Sequence, residues 1–223
     1  MNKLNHVAFI MDGNGRWGKK RNKNRNFGHY AGVKTVKKIV ETSIKFKIPT
    51  VTFYVFSTEN WKRPKSEINF LFNLVNSYFK LELQNVIKNG IKINIIGELS
   101  KLPKKLRKIL KDTVKQTKKN KKILVNLALN YGSKKELINT FKKIRLKKIT
   151  EKIIKRNLYT KDIPDPDILI RTGGKKRLSN FMLWQLAYAE LYFLDKLWPD
   201  FKPKDLHKII KQYYNTKRNY GGI

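Results

Sequence analysis

At 223 residues, 40% hydrophobic and 12% aromatic, the chain has enough apolar material for one sizeable core and too much for wholesale disorder. It has no cysteine, which excludes disulfide staples, thiolate metal sites and cysteine nucleophiles and suits a reducing cytoplasm, and its early apolar run, Val7–Met11, is too short for a signal segment or a membrane span. The formal charge of +35, from 51 basic and 16 acidic residues, leaves two explanations open: solvated lysine faces, or a basic surface for substrate diphosphates, acidic lipids or nucleic acid.

In chain order, His6–Met11 predicts a first strand. A helix follows from His29 to Phe46, with Ala31, Val36, Ile39, Val40 and Ile44 on one side. Thr50–Phe56 predicts a second strand, and Glu67–Lys88, rich in Phe, Leu, Val and Tyr, a long helix. Ile91–Ile96 predicts the next strand. From Leu102 to Lys122 the residues Leu106, Ile109, Leu110 and Val114 recur at helical spacing, which puts the intervening lysines on the solvated face. Ile123–Leu129 and Asp167–Ile170 complete the predicted strands. Strands alternating with helices, and no Pro/Gly/Ser-rich linker, imply a single domain over residues 1–223 of α/β class: a mainly parallel central sheet flanked by helices.

The unusual residues sit where these strands end. Asp12-Gly13-Asn14-Gly15-Arg16 follows the first strand, Ser57-Thr58-Glu59-Asn60-Trp61 the second, Asn130-Tyr131-Gly132 the fourth and Arg171-Thr172-Gly173-Gly174 the fifth. Parallel α/β sheets bind ligands at the carboxyl ends of their strands, so these segments converge on one expected site. Gly13–Gly18 satisfies G-x-G-x-x-G, but a helix, not a second strand, occupies the interval where a dinucleotide fold needs its acidic residue. Gly13–Lys19 approaches a P-loop, but Lys20 stands where a magnesium-binding Ser or Thr is required. A glycine-rich turn flanked by Arg16 and Arg25 still makes a phosphate cradle. Asp12 there either caps the next helix or binds Mg²⁺ that bridges it to a diphosphate. His29 is either a helix-start residue or a diphosphate ligand, and Trp61 either a core aromatic or part of a lid.

Met11–Trp17 (MDGNGRW) resembles the signature of the cis-prenyltransferase family, undecaprenyl diphosphate synthase type. The similarity continues through Arg25–His29 (RNFGH), Phe56–Arg63 (FSTENWKR), Asn130–Gly132 (NYG), Asp167–Gly174 (DILIRTGG), Arg177–Phe181 (RLSNF) and Trp184–Phe193 (WQLAYAELYF). The resemblance implies a parallel α/β fold with a hydrophobic tunnel, usually as a homodimer, that elongates an allylic diphosphate with isopentenyl diphosphate. It implies that Gly13, Asn14, Gly15, Arg16, Trp17, Arg25 and His29 bind the allylic diphosphate, with Asp12 beside it for catalysis and metal binding. Arg171, Arg177, Leu178 and Ser179 would hold isopentenyl diphosphate, and Glu190 would be the second carboxylate on Mg²⁺. Ser57, Thr58, Glu59, Asn60, Trp61, Arg63 and Glu67 would form a substrate-contacting loop and part of a mobile lid, with Asn60 orienting a proton path. The growing hydrocarbon would enter a tunnel lined by the Ile68–Ile87 helix and the faces of Val51–Phe56 and Ile91–Ile96.

Three positions depart from the family pattern. Lys175 stands where an acidic residue is common, Ser133-Lys134 replaces Gly-Arg and is expected to open a helix with Ser133 as its cap, and Asn219 replaces an arginine, with Arg218 just before it. Two rival expectations follow from other features: a catalytically silent partner subunit, against which Asp12, Arg171, Arg177 and Glu190 all stand, and a nucleic-acid binder, for which the lysines are too dispersed. No nucleic-acid partner is expected. A cytoplasmic enzyme touching membranes only peripherally, through its lipophilic product, is.

Overall fold

The computed structural model describes residues 3–144 and 149–219. Its sheet has six strands, all parallel, in the order β3-β4-β2-β1-β5-β6: β1 is His6–Ile10, β2 Thr50–Ser57, β3 Ile91–Ile96, β4 Ile123–Tyr131, β5 Ile168–Arg171 and β6 Glu190–Phe193. Five were expected; β6, an edge strand, was not.

Alternation along β1 shows how one sequence builds two core layers. Val7 and Phe9 point into the larger cluster, Ala8 and Ile10 into the smaller, and all four are buried. The larger layer is covered by α2 (Arg25–Lys45), α3 (Lys65–Lys88), α4 (Lys104–Thr117) and α7 (Pro203–Asn215), which contribute Ile39, Phe72, Leu106 and Leu206 among others. Phe9 stacks on Phe53 at 5.0 Å between centroids, with Trp198 edge-on to both. The smaller layer packs Ile163, Phe181, Met182 and Leu186 against the opposite face, beside α5 (Ser133–Lys143) and α6 (Glu151–Asn157). Lys104, Lys105, Lys108, Lys111 and Lys115 of α4 are all exposed while Leu106 and Leu110 are buried, so this part of the basic charge is a solvated face.

Caps explain where two helices begin. Asn24 accepts from the Phe27 N–H at 2.9 Å, so α2 starts at Arg25, four residues before the expected His29. For α5 the cap position is Gly132, not Ser133; the Ser133 hydroxyl instead accepts from the Leu183 N–H at 3.0 Å. A six-residue helix, α1 (Asn14–Lys19), went unread in the sequence; its cap is Gly13 at φ +111°, which removes Asp12 from the capping role.

Candidate active site

The carboxyl ends of β1, β2 and β5 meet at a polar pocket lined by Asp12, Gly13, Asn14, Gly15, Arg16, Arg25, His29, Tyr54, Ser57, Asn60, Arg63, Arg171 and Ser179. The expected convergence holds for these segments. An extra residue in β2, Val55, breaks the register between Tyr54↔Ala128 and Phe56↔Leu129 and becomes part of the pocket wall.

Charge here is arranged around two carboxylates. Asp12 takes a guanidinium on each oxygen, Arg16 Nη2 at 3.1 Å and Arg171 Nη2 at 3.0 Å. Arg171 is buried and also donates through Nη1 to Ser179 Oγ at 2.6 Å and to the Arg177 carbonyl, while its Nε is buried without a partner among the described residues. Arg16 Nη2 reaches the Gly173 carbonyl at 2.7 Å, so the first and fifth strand loops are laced together. The second carboxylate, Glu67, is 8% exposed and takes Arg25 through two bonds of 3.0 and 3.1 Å, Arg63 at 3.1 Å and His29 Nε2 at 3.3 Å. Burial pushes the Glu67 carboxyl up, but Arg25 first and then Arg63 and His29 outweigh it, and its pKa lies below the ordinary value. Burial, then the charge of Arg63, lowers His29 to about 4, so at neutral pH it is an uncharged hydrogen-bonding group.

Asn60 and Ser57 hold each other: the Ser57 N–H donates to Asn60 Oδ1 at 3.2 Å and the Ser57 side chain accepts from the Asn60 N–H. Glycine is required at Gly13, where φ is +111° and a Cβ would come within 2.7 Å of Leu197.

Not every expected residue joins this pocket. Trp17 turns away, donating its Nε1–H to Asp200 Oδ1 at 2.8 Å and stacking on Phe27, because on a short helix it falls on the face packed against α2. Trp61 donates to Asn130 Oδ1 at 2.8 Å and packs edge-on against Phe56 and Phe72, serving as a half-exposed aromatic brace. Thr58 and Glu59 face Gly132 and Asn180. The Arg177 side chain is exposed and outside the pocket, its carbonyl alone being engaged, and Leu178 packs against the smaller core cluster. Within this chain Glu190 lies apart from Asp12, the carboxylate it was expected to join on the metal. Strand register places it beside Ile168, at the amino end of β6, whereas Arg171 and Asp12 lie at the opposite end. There Glu190 neighbours Arg218 at 3.8 Å, and Arg218 also lies 3.6 Å from Asp167 and donates to the Tyr188 carbonyl at 2.6 Å. Sequence order gives motifs but not which end of a strand a residue occupies.

Beside the polar pocket runs an apolar cavity between α2, α3 and the sheet, lined by Val33, Val36, Val40, Leu71, Val75 and Phe79 with Ile93, Val125 and Leu127 beneath. Met11, Asn14, His29, Val55 and Leu71 are walls of both spaces, so the two adjoin. The expected α3 and strand walls are present; the α2 wall was missed, although His29, Gly32, Val33, Val36 and Val40 share one helical face at spacings the sequence displays. Asn180 was also missed as a group with a partner of its own, and its clue, an Asn at positive φ, is visible only in the backbone.

The comparisons with known proteins agree with this architecture. A family model described as "Putative undecaprenyl diphosphate synthase" matches residues 10–221. The chain is 47% identical over 230 residues to an isoprenyl transferase of Helicobacter pylori, covering 100% of this chain and 98% of that one, and 44% identical over 227 residues to an isoprenyl transferase of Clostridium tetani, covering 98% and 89%. Among solved structures it resembles lavandulyl diphosphate synthase from Lavandula x intermedia in complex with dimethylallyl diphosphate, with TM-score 0.94, 32% identity and 98% of each chain covered. It also resembles a probable undecaprenyl diphosphate synthase from Campylobacter jejuni, with TM-score 0.85, 37% identity and 100% of each chain covered.

Proposed function

The chain belongs to the undecaprenyl diphosphate synthase family and is a prenyl-transferring enzyme, and from that premise we propose that it adds isopentenyl diphosphate units in cis to an allylic diphosphate such as farnesyl diphosphate. One observation carries this choice of substrates: a cationic pocket lies directly beside an apolar cavity, and the two share the walls Met11, Asn14, His29, Val55 and Leu71. An allylic diphosphate has that polarity along its length, a dense anion joined to a hydrocarbon.

In this reading Gly13–Arg16, Arg25 and His29 receive the allylic diphosphate, and Arg171 with Ser179 receives isopentenyl diphosphate. Arginine suits both tasks because its planar donors meet phosphate oxygens two at a time. Arg16, Arg25 and Arg63 then stabilise the charge that develops on the leaving diphosphate as the allylic carbon–oxygen bond breaks. The double bond of isopentenyl diphosphate attacks that carbon. Asn60, locked to Ser57, orients the path by which the proton is lost toward Ser57 or a diphosphate oxygen.

Among the described residues Asp12 is the one carboxylate lining the polar pocket, and this donor set fits Mg²⁺, which is commonly held by one or two carboxylates together with substrate phosphates and water. When bound there, the ion would neutralise the diphosphate that Asp12 alone would repel. The enzyme works as one catalytic domain, as a cytoplasmic homodimer touching membranes only peripherally. Consistent with peripheral contact at most, none of the described helices is long and apolar enough to cross a membrane.

The test is to incubate the purified protein with Mg²⁺, farnesyl diphosphate and labelled isopentenyl diphosphate and to size the extracted lipids. Elongated diphosphates that vanish in excess EDTA are expected. No elongation overturns the proposal, and full turnover in EDTA overturns the role given to Asp12.

A further inference from the structure

Two loops carry groups just given roles in the condensation. The proton-path pair, Ser57 and Asn60, and Arg63 stand on or beside the turn that follows β2, and Ser179 of the isopentenyl diphosphate site stands on the loop that follows β5. One side-chain bond joins those loops: Asn180 Nδ2 donates to Glu59 Oε1 at 2.8 Å. Glu59 is adjacent to Asn60 in the chain, and Asn180 is adjacent to Ser179.

Asn180 is otherwise fully committed. Its φ is +61°, after Ser179 at +51°, a left-handed region that Asn tolerates better than most residues. Its carbonyl accepts from the Ser133 N–H at 2.8 Å and its Oδ1 accepts from the Lys134 N–H at 2.9 Å, which seats the loop on the first turn of α5. The Nδ2 donor is what remains, and it meets Glu59. Gly132 marks how closely the pieces approach, since a Cβ there would fall 2.4 Å from Thr58 Oγ1 and 2.8 Å from Asn180 Nδ2. Tyr54 on β2 adds a looser tie, its hydroxyl proton shared between the Tyr131 carbonyl at 3.2 Å and the Ser179 carbonyl at 3.3 Å.

We propose that Glu59 and Asn180 form a latch that fixes the spacing between the β2 turn, with Asn60 and Arg63, and the isopentenyl diphosphate site at Ser179, so that both act as positioning residues for the condensation. This rests on the two-site reading above. Bond formation between two bound substrates requires the reacting carbons to be held about 3–3.5 Å apart, and a shift of roughly 1 Å costs about a hundredfold. The latch bridges the segments on which that distance depends. It also gives the Glu59 carboxylate a partner away from the diphosphates, which it would repel. Burial raises the Glu59 pKa, but hydrogen bonds led by that from Asn180 outweigh it and leave the carboxyl below its ordinary value.

Asn180→Asp tests the latch, because Asp keeps the left-handed tolerance and the acceptor for Lys134 but sets a second carboxylate against Glu59. Its kcat should fall roughly ten- to a hundredfold, with each KM within about threefold of the parent, because geometry between the sites is lost before binding at either. Glu59→Gln alone keeps an acceptor and should lose roughly two- to fivefold. Adding Glu59→Gln to Asn180→Asp restores the bond with its polarity reversed, the introduced amide now donating to the introduced carboxylate, and should recover most of the lost kcat. Gly132→Ala, which wedges Thr58 from Asn180, should reproduce the kcat loss and supplies an independent variant if Asn180→Asp fails to fold. An unaffected Asn180→Asp overturns the latch. So does a double variant as poor as the sum of the singles, which would make Glu59 a direct substrate ligand. An inactive parent protein overturns the two-site reading and the latch together, whereas an active parent with an indifferent Asn180→Asp overturns the latch alone.

Discussion

Arg25 and Arg171 have different neighbours, and that difference makes the two-site proposal testable. Arg25 is held by Glu67 on the α2–α3 side, while Arg171 links Asp12 to Ser179 on the β5 side. A charge-assisted contact is worth about 1.5–3 kcal/mol, so losing one lowers kcat/KM by roughly one to two decades. Arg25→Ala should therefore raise KM for the allylic diphosphate and Arg171→Ala for isopentenyl diphosphate, as steady-state kinetics with each substrate varied in turn would show. Equal increases in both KM values for both variants would refute the assignment. Arg177→Ala provides the sharper contrast. The family resemblance ranks it with Arg171, but its guanidinium lies outside the pocket and only its carbonyl, which alanine retains, engages Arg171. It should cost less than about threefold in this conformation, the range of an exposed charge rather than of a buried contact.

At the scale of elements, the apolar cavity depends on α2 and α3 lying side by side over the sheet. Val33, Val36 and Val40 face Leu71, Val75 and Phe79 across it, and the Lys37–Glu82 ion pair at 2.9 Å ties the two helices further along. If the growing chain occupies this space, Val75→Trp should shorten the products while leaving KM for isopentenyl diphosphate within about twofold, at a stability cost of roughly 1–3 kcal/mol for overpacking. Product sizing by chromatography checks it, and an unchanged product distribution would place the tail elsewhere. Helices were legible in the sequence because their apolar residues repeat at one period, as in Leu102–Lys122, and buried strands because they are near-continuous apolar runs, as in Ile123–Leu129. Strand β6 was not, since Glu190–Phe193 lies at an edge, is half-exposed along its length and shows no alternation. The candidate site was legible to the same extent. Loops that follow β1, β2 and β5 converge as the sequence implied while Asn130–Gly132 stays outside the pocket, and the positions of Glu190, Arg177 and Trp17 turn on strand register or side-chain direction, which spacing along the chain does not encode.

For the whole molecule, the +35 charge makes acid the direction in which stability is most exposed, because protonation adds charge to a chain already rich in it. His6 is where that exposure becomes specific. It is fully buried at the start of β1, with Nδ1 2.7 Å from the Pro164 carbonyl and Nε2 2.7 Å from Thr52 Oγ1. A carbonyl only accepts, so Nδ1 carries the proton and Nε2 accepts from Thr52 in the neutral ring. Burial, only partly offset by the bond to Pro164, lowers its pKa to about 4, against an ordinary value of 6.5. Well above pH 6.5 neither folded nor unfolded chain is protonated at this position, and stability does not depend on it. As pH falls from 6.5 toward 4, the unfolded chain takes up a proton that the folded chain refuses, so stability falls with pH. Each such proton gives a limiting slope of about 1.36 kcal/mol per pH unit. His29, also lowered to about 4, adds a second in the same window. Urea unfolding at about pH 7, 6 and 5.5, above the range in which Glu59 and Glu67 begin to add protons of their own, should therefore show free energy dropping by a slope approaching two protons. His6→Gln, which does not titrate, should be less stable at about pH 7 for want of the two ring bonds but should lose about one proton of that slope. An identical slope in parent and variant would mean that the ring of His6 accepts its second proton without unfolding the sheet.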